Sequence, residues 1–235
     1  MIDLYSWFCP NGHKVHIMLE ETGLIYEVKP VSIAAGEQFN ASFVALNPNS
    51  KVPVIVDHDG PAGRPVTVFE TGAILLCLAD KTGQFVPSDP ALRWQVVQWL
   101  MWQMGGLGPM MGQAQHFVYH TQTGEAYATD RYVSETARLL RVLDQRLATR
   151  DFICDAYSIA DIACFPWVRI HKLCGQDIAV FPNVGRWYGE IRNRPAVGRA
   201  LDILKDRYVD IATSDEAKTQ LFGQARQPGK GQQAQ

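Results

Sequence analysis

At 235 residues and 47% hydrophobic content, the chain can fill one large core or two smaller ones, and a compact unit of two lobes is expected. A net charge of -2 without any basic run excludes the positive face of a nucleic-acid binder and points to small or neutral partners. The N-terminus lacks a basic and apolar leader, the longest apolar run (residues 73–79) is too short to span a bilayer, and the five cysteines form no Cys-x-x-Cys pair, so a soluble cytoplasmic protein in a reducing compartment is expected.

Alternation over residues 2–7, with aromatic and branched side chains, predicts a first strand that ends in a loop over residues 8–12. A helix follows, with Val15, Met18 and Leu19 inward, Glu20 and Glu21 turned away and Gly23 as its stop. Residues 26–31 read as a second strand, parallel to the first because a helix separates them. A short helical piece over residues 39–46 leads to the third strand at Val54-Ile55-Val56. The turn-rich residues 58–65 make a hairpin with residues 66–69. Glu70-Thr71 then opens a helix that ends near Gly83, completing the order β-α-β-α-β-β-α.

Residues 84–90 carry two prolines and no periodicity, which suits a linker, and everything beyond reads helical. Trp94, Val97, Leu100, Met101 and Met104 form an apolar stripe that Gly105-Gly106-Leu107-Gly108-Pro109 should kink or break. A long amphipathic helix over residues 127–147 turns Tyr132, Leu139, Leu140, Leu143 and Leu147 inward. Ser158-Ile159-Ala160-Asp161 is a capping signature ahead of an apolar run to Leu173. Two more helices follow, over residues 184–192 and 195–205. The helical lobe spans residues 91–208, and residues 209–235 are expected to be a partly disordered tail.

One stretch stands out chemically. In Asn49-Ser50-Lys51-Val52-Pro53-Val54, Pro53 cannot donate to a ladder, and Val52-Pro53 is a natural site for a cis bond. That geometry turns the Val52 N–H and C=O outward, toward an extended peptide-like ligand, with Lys51 beside them for a carboxylate.

The strand and helix order, Val52-Pro53, Glu70-Thr71 and the capped helix of the second lobe together resemble the cytosolic glutathione transferases. The likeness extends from Met1 to about Leu204 and implies a thioredoxin-like domain over residues 1–83 joined to an all-α domain. Cys9-Pro10-Asn11-Gly12-His13-Lys14, Asn47-Pro48-Asn49-Ser50-Lys51-Val52-Pro53 and Gln98-Trp99-Leu100-Met101-Trp102-Gln103-Met104-Gly105-Gly106-Leu107-Gly108-Pro109-Met110 resemble the nu-class, disulfide-bond-reductase branch. The resemblance implies a homodimer that uses glutathione, reduced or oxidised, as co-substrate without a metal to reduce a small disulfide. Weak transferase and peroxidase activity would accompany it. In that reading Thr71 receives the γ-glutamyl carboxylate at a helix start and Glu70 takes the adjacent ammonium. Val52-Pro53 pairs the cysteinyl backbone, Lys51 meets the glycyl carboxylate, Gln38 contributes from the second-helix region, and Arg131 reaches the glutathione of the partner subunit. Asn11 donates its amide to the glutathione sulfur.

Cys9 supports two readings. In the pattern this chain resembles, a threonine stands there and bound glutathione supplies the thiols, so Cys9 is a weak donor to sulfur. A cysteine at a helix start is also a nucleophile able to form a mixed disulfide, as in omega-class transferases. The alternatives are therefore conjugation of an electrophile, omega-like thiol transfer through Cys9, or a transferase-fold binding module without turnover. Tyr5 reads as core. Cys77, Cys154, Cys164 and Cys174 read as inert core thiols, and the His116/His120 and His13/His16 pairs lack further metal ligands. Trp94, Trp99 and Trp102 read as core and subunit interface, with one ring available to an acceptor pocket.

Overall fold

The computed structural model describes residues 1–121 and 124–223. Its first lobe holds β1 (Ile2–Ser6), α1 (Pro10–Thr22), β2 (Tyr26–Pro30), α2 (Ala41–Val44), β3 (Val54–Asp57), β4 (Val66–Phe69) and α3 (Thr71–Thr82). The sheet order is β2-β1-β3-β4, with β1 parallel to β2 and the other pairs antiparallel. Period-two alternation decides the two faces. Ile2, Leu4 and Ile55 face the main core with α1 and α3. Tyr5 and Val54, opposite one another in register, face a smaller cluster with Val31 and Phe43. Tyr5 is thus a packing residue, its ring 6.4 Å from that of Phe43.

The predicted loop before α1 is shorter than expected. Cys9 is already the N-cap and Pro10 takes a first-turn position, where its missing N–H costs nothing. Gly23 closes α1 at φ 66, the left-handed conformation expected of a C-terminal glycine.

The second lobe comprises α4 (Pro90–Trp102), α5 (Gly108–Gln115), α6 (Ala126–Leu147), α7 (Ile159–Arg169), α8 (Pro182–Arg192), α9 (Pro195–Asp202) and α10 (Asp215–Phe222). The expected kink is a π-helical turn over Gln103–Leu107, which carries α4 into α5 without a break. The stripe on α4 divides: Leu100 is buried, whereas Trp94 and Met101 lie exposed on the opposite side and Val96 takes the inward place. The apolar run after α7 does not continue as one helix, because α7 ends at Arg169 and a 3-10 turn, His171–Cys174, follows. The capping box of α7 forms in full, and Asp161 is wholly buried at its third position.

The first part of the expected tail, residues 209–222, carries a 3-10 turn, Ile211–Thr213, and the helix α10. Asp210 and Ser214 accept backbone N–H groups of Ala212 and Ala217, so short polar caps start two helical pieces, and Ala217 is buried. Residues 224–235 of that predicted tail lie outside the described residues. Among the described residues, no helix is long and apolar enough to cross a membrane, and no group of three or more His, Cys, Asp or Glu could hold a metal ion.

Candidate functional site

The first turn of α1 sets one end of the site. Cys9 is extended at φ -154, and its Sγ accepts the Gly12 N–H at 3.4 Å. Only glycine fits at position 12, since a Cβ there would stand 2.2 Å from the Trp7 carbonyl oxygen. Burial pushes the Cys9 thiol above its ordinary value, outweighing the N–H groups of Gly12 and Asn11 and the charge of Lys14. The helix start therefore does not leave a free thiolate here. Next to it, Asn11 Oδ1 accepts the Trp167 indole N–H at 3.1 Å. An indole N–H only donates, so this contact fixes which way round the amide stands and leaves the NH₂ for a ligand.

The opposite end is built by the Val52-Pro53 segment, whose peptide bond is cis. The ladder begins only at Val54, so the Val52 backbone lies outside it. Asn47, itself buried, holds this loop from within: its Nδ2 donates to the Lys51 carbonyl at 2.8 Å and its Oδ1 accepts the Asn49 N–H at 2.9 Å. Glu70 follows β4 at φ 69, a region disfavoured for a side-chain-bearing residue. Strain of roughly 1–3 kcal/mol is stored there, and it turns the Thr71 end of α3 into the cleft.

These elements enclose two adjoining cavities. The smaller, about 480 Å³, is lined by Asn11, Lys51, Val52, Pro53, Glu70 and Thr71. The larger, about 1030 Å³, shares Asn11, Lys51 and Val52 with it and adds Cys9 and Gln38. Arg131 is the exception among the residues singled out in the sequence, being exposed on α6 and lining neither cavity. Of the tryptophans considered for an acceptor pocket, Trp99 and Trp102 pack on each other at 5.1 Å and Trp94 faces solvent, so none of the three lines either space. Cys77, read as core, is only partly buried on α3.

Several residues of the site escape sequence reasoning. Trp167, from α7, lines both cavities. It sits close against α5, where a Cβ on Gly112 would come within 3.2 Å of its ring. Lys14, Gln103 and Met104 line the smaller cavity. Lys14 and Gln103 stand inside motifs whose composition is distinctive, which is the only local signal they carry. The C-terminal segment closes the larger cavity through Tyr208, Gln220 and Leu221. Phe222 of α10 packs on His116 at 4.5 Å, and the Tyr119 hydroxyl donates to Asp210 at 2.8 Å. The same last turn of α10 lies over Gly36, where an added Cβ would be 2.6 Å from Gln220 Oε1. His116 and His120 both pack on Phe222, His120 and His13 also line the larger cavity, and His13 and His16 are buried and held neutral, chiefly by desolvation.

Residues 8–81 match the family described as glutathione S-transferase, N-terminal domain, and residues 107–195 the corresponding C-terminal domain. The disulfide-bond oxidoreductase YfcG of Escherichia coli is 47% identical over 203 residues, spanning 86% of this chain and 94% of that one. A glutathione transferase from Burkholderia graminis, solved with two glutathione molecules bound per subunit, superposes with a TM-score of 0.81 at 50% identity, covering 87% of this chain and 88% of that one. One from Pseudomonas putida, with one glutathione disulfide bound per subunit, gives 0.83 at 46% identity over 86% and 91%.

Proposed function

The chain belongs to the glutathione S-transferase family, and from that premise we propose that it is a glutathione-dependent disulfide-bond reductase. The observation that carries the reading is the spacing of complementary groups along one cleft. An amide donor at Asn11 suits the thiol, the Val52 backbone the extended peptide, and the start of α3 at Thr71, beside Glu70, the amino-acid head. Lys51 supplies a cation for the remaining carboxylate, and Gln38 lies across the larger cavity. That cavity leaves room for a second thiol or a small disulfide, in keeping with the two glutathione molecules of the Burkholderia relative.

The chemistry balances with glutathione alone. The thiolate of the bound glutathione attacks one sulfur of the disulfide, a mixed disulfide forms, and the other sulfur leaves as a thiolate that takes up a proton. A second glutathione thiolate then attacks the glutathione sulfur of the mixed disulfide, releasing the second thiol and leaving oxidised glutathione. Two glutathiones lose two electrons and the substrate gains them. In the free protein Cys9 is a capping group with a raised pKa, which favours its role as a neutral S–H donor to the attacking sulfur. Cys9→Ser is therefore expected to keep disulfide turnover within about threefold, because a hydroxyl still caps Gly12 and still donates. Loss of turnover together with a Cys9–glutathione adduct in the wild-type mass spectrum would identify the cysteine as the nucleophile instead.

Turnover of hydroxyethyl disulfide well above that of an aryl halide tests the assignment. The reverse ranking sinks it in favour of conjugation, and glutathione binding without turnover of either would leave a binding module. The assembly we infer is a homodimer formed through the face carrying exposed Trp94 and Met101, with Arg131 reaching the partner's glutathione site. A monomer in light scattering contradicts it. Five free thiols suit the reducing cytoplasm.

A further inference from the structure

The Lys14 side chain is buried against one wall of the smaller cavity. Its Nζ donates to Gln103 Oε1 at 2.7 Å and Thr71 Oγ1 at 3.2 Å and lies 3.6 Å from Met104 Sδ, all of them uncharged. Among the described residues no carboxylate oxygen lies within 4.0 Å of it. An unpaired buried charge is costly, so such a site is either neutral or awaiting an anion. The place where an anion would arrive is fixed by Thr71, the first residue of α3 and one wall of the smaller cavity, which Lys14 also lines.

We propose that Lys14, oriented by Gln103, is a positioning residue whose ammonium meets the ligand's α-carboxylate at Thr71, with net proton uptake from the buffer as the anion enters. The inference rests on the reading of the cleft as a glutathione site. Burial holds Lys14 down to about 7, against the smaller opposing pulls of Cys164, Cys9 and Glu70. These are the titratable groups that face it, from α7, the α1 cap and the residue before α3. Glu70 is the one carboxylate among them, and it lines the same cavity. A carboxylate on Thr71 adds a second one nearer at hand and raises the lysine. Gln103 has a defined role in this arrangement, since it keeps a carbonyl oxygen on the lysine from the helical lobe and joins the two lobes beneath the ligand.

Calorimetry with S-methylglutathione, which has no thiol to titrate, reads this directly at pH 7 in two buffers of different ionisation enthalpy. The wild type should take up about half a proton per ligand, since a group near its pKa is about half charged beforehand. Lys14→Met should bind on the order of tenfold more weakly and take up none. Lys14→Arg, permanently charged, should restore affinity without uptake. Gln103→Glu provides a second route: a fixed carboxylate beside Lys14 keeps it charged in advance, so uptake disappears although the lysine remains. Proton uptake by Lys14→Met equal to that of the wild type overturns the proposal and leaves the glutathione reading intact, as does wild-type binding with no uptake. Failure of the wild type to bind S-methylglutathione or glutathione at all overturns both.

Discussion

Replacing Asn11 by Ala is expected to lower kcat/KM for a small disulfide by roughly 10²-fold, the usual consequence of removing one preorganised donor to developing negative charge. The reasoning is geometric. The Asn11 amide is locked by the Trp167 indole N–H on its oxygen, so its NH₂ faces the ligand without having to reorganise when the sulfur ionises. The Ala variant loses the amide proposed to meet the sulfur but keeps Val52, Glu70 and Thr71, which line the same cavity and in the proposed reading hold the rest of the tripeptide. Most of the loss should therefore fall on kcat, with the KM for glutathione moving little. Thiolate absorbance of the bound glutathione titrated against pH should show a higher pKa in the variant. Trp167→Phe tests the lock separately: the amide stays but is free to turn over, so a smaller fall in kcat is expected. An Asn11→Ala enzyme within twofold of wild type would falsify the assignment of this amide to the thiol.

The largest effect on stability is expected at Asp161. Its buried carboxylate accepts the N–H groups of Ile153 at 2.9 Å and Ser158 at 3.0 Å, the Ser158 hydroxyl at 3.1 Å and the Trp187 indole N–H at 2.8 Å. One side chain thus joins the segment before α7, the α7 cap and the core face of α8. Asp161→Ala strands these donors in a fully buried site. At about 1–3 kcal/mol for each unsatisfied buried group, with relaxation recovering part, the loss should be on the order of 4 kcal/mol. Urea denaturation reads it as a lower midpoint, and a shift corresponding to less than about 1 kcal/mol contradicts the account.

Burial also pushes the Asp161 carboxyl up to about 6, above its value in an unfolded chain. A carboxyl raised by folding contributes stability that is fully present below the unfolded pKa and lost as pH rises through the folded one. The stability advantage of the wild type over Asp161→Asn, which cannot ionise, should accordingly shrink between pH 4 and pH 7. A constant or widening gap contradicts that sign.

The sequence itself determined the parts whose cause is local. Alternation over residues 2–6, the branched run Val54-Ile55-Val56, the Ser158–Asp161 box, Gly23 and Gly83 past their helices, and Val52-Pro53 ahead of β3 each act through neighbours a few positions away, so their signatures are contiguous in the chain. The cleft residues drawn from those elements, Asn11, Lys51, Val52, Glu70 and Thr71, were legible for the same reason, because a helix start and a loop before a strand announce themselves. Where burial alone decided, the sequence was silent or misleading. Trp94 and Met101 share the apolar character of buried Leu100, and only packing of the lobes says which of them faces solvent. Residues 209–222 are too polar to suggest order, yet a few caps and one wall of the large cavity suffice to hold them. The contacts Lys14–Thr71, Lys14–Gln103 and Asn11–Trp167 join positions 57, 89 and 156 residues apart. Pairings at that range leave no periodic trace: the packing of α1 on α3 brings Lys14 to Thr71, and the closure of one lobe on the other brings Gln103 to Lys14 and Trp167 to Asn11.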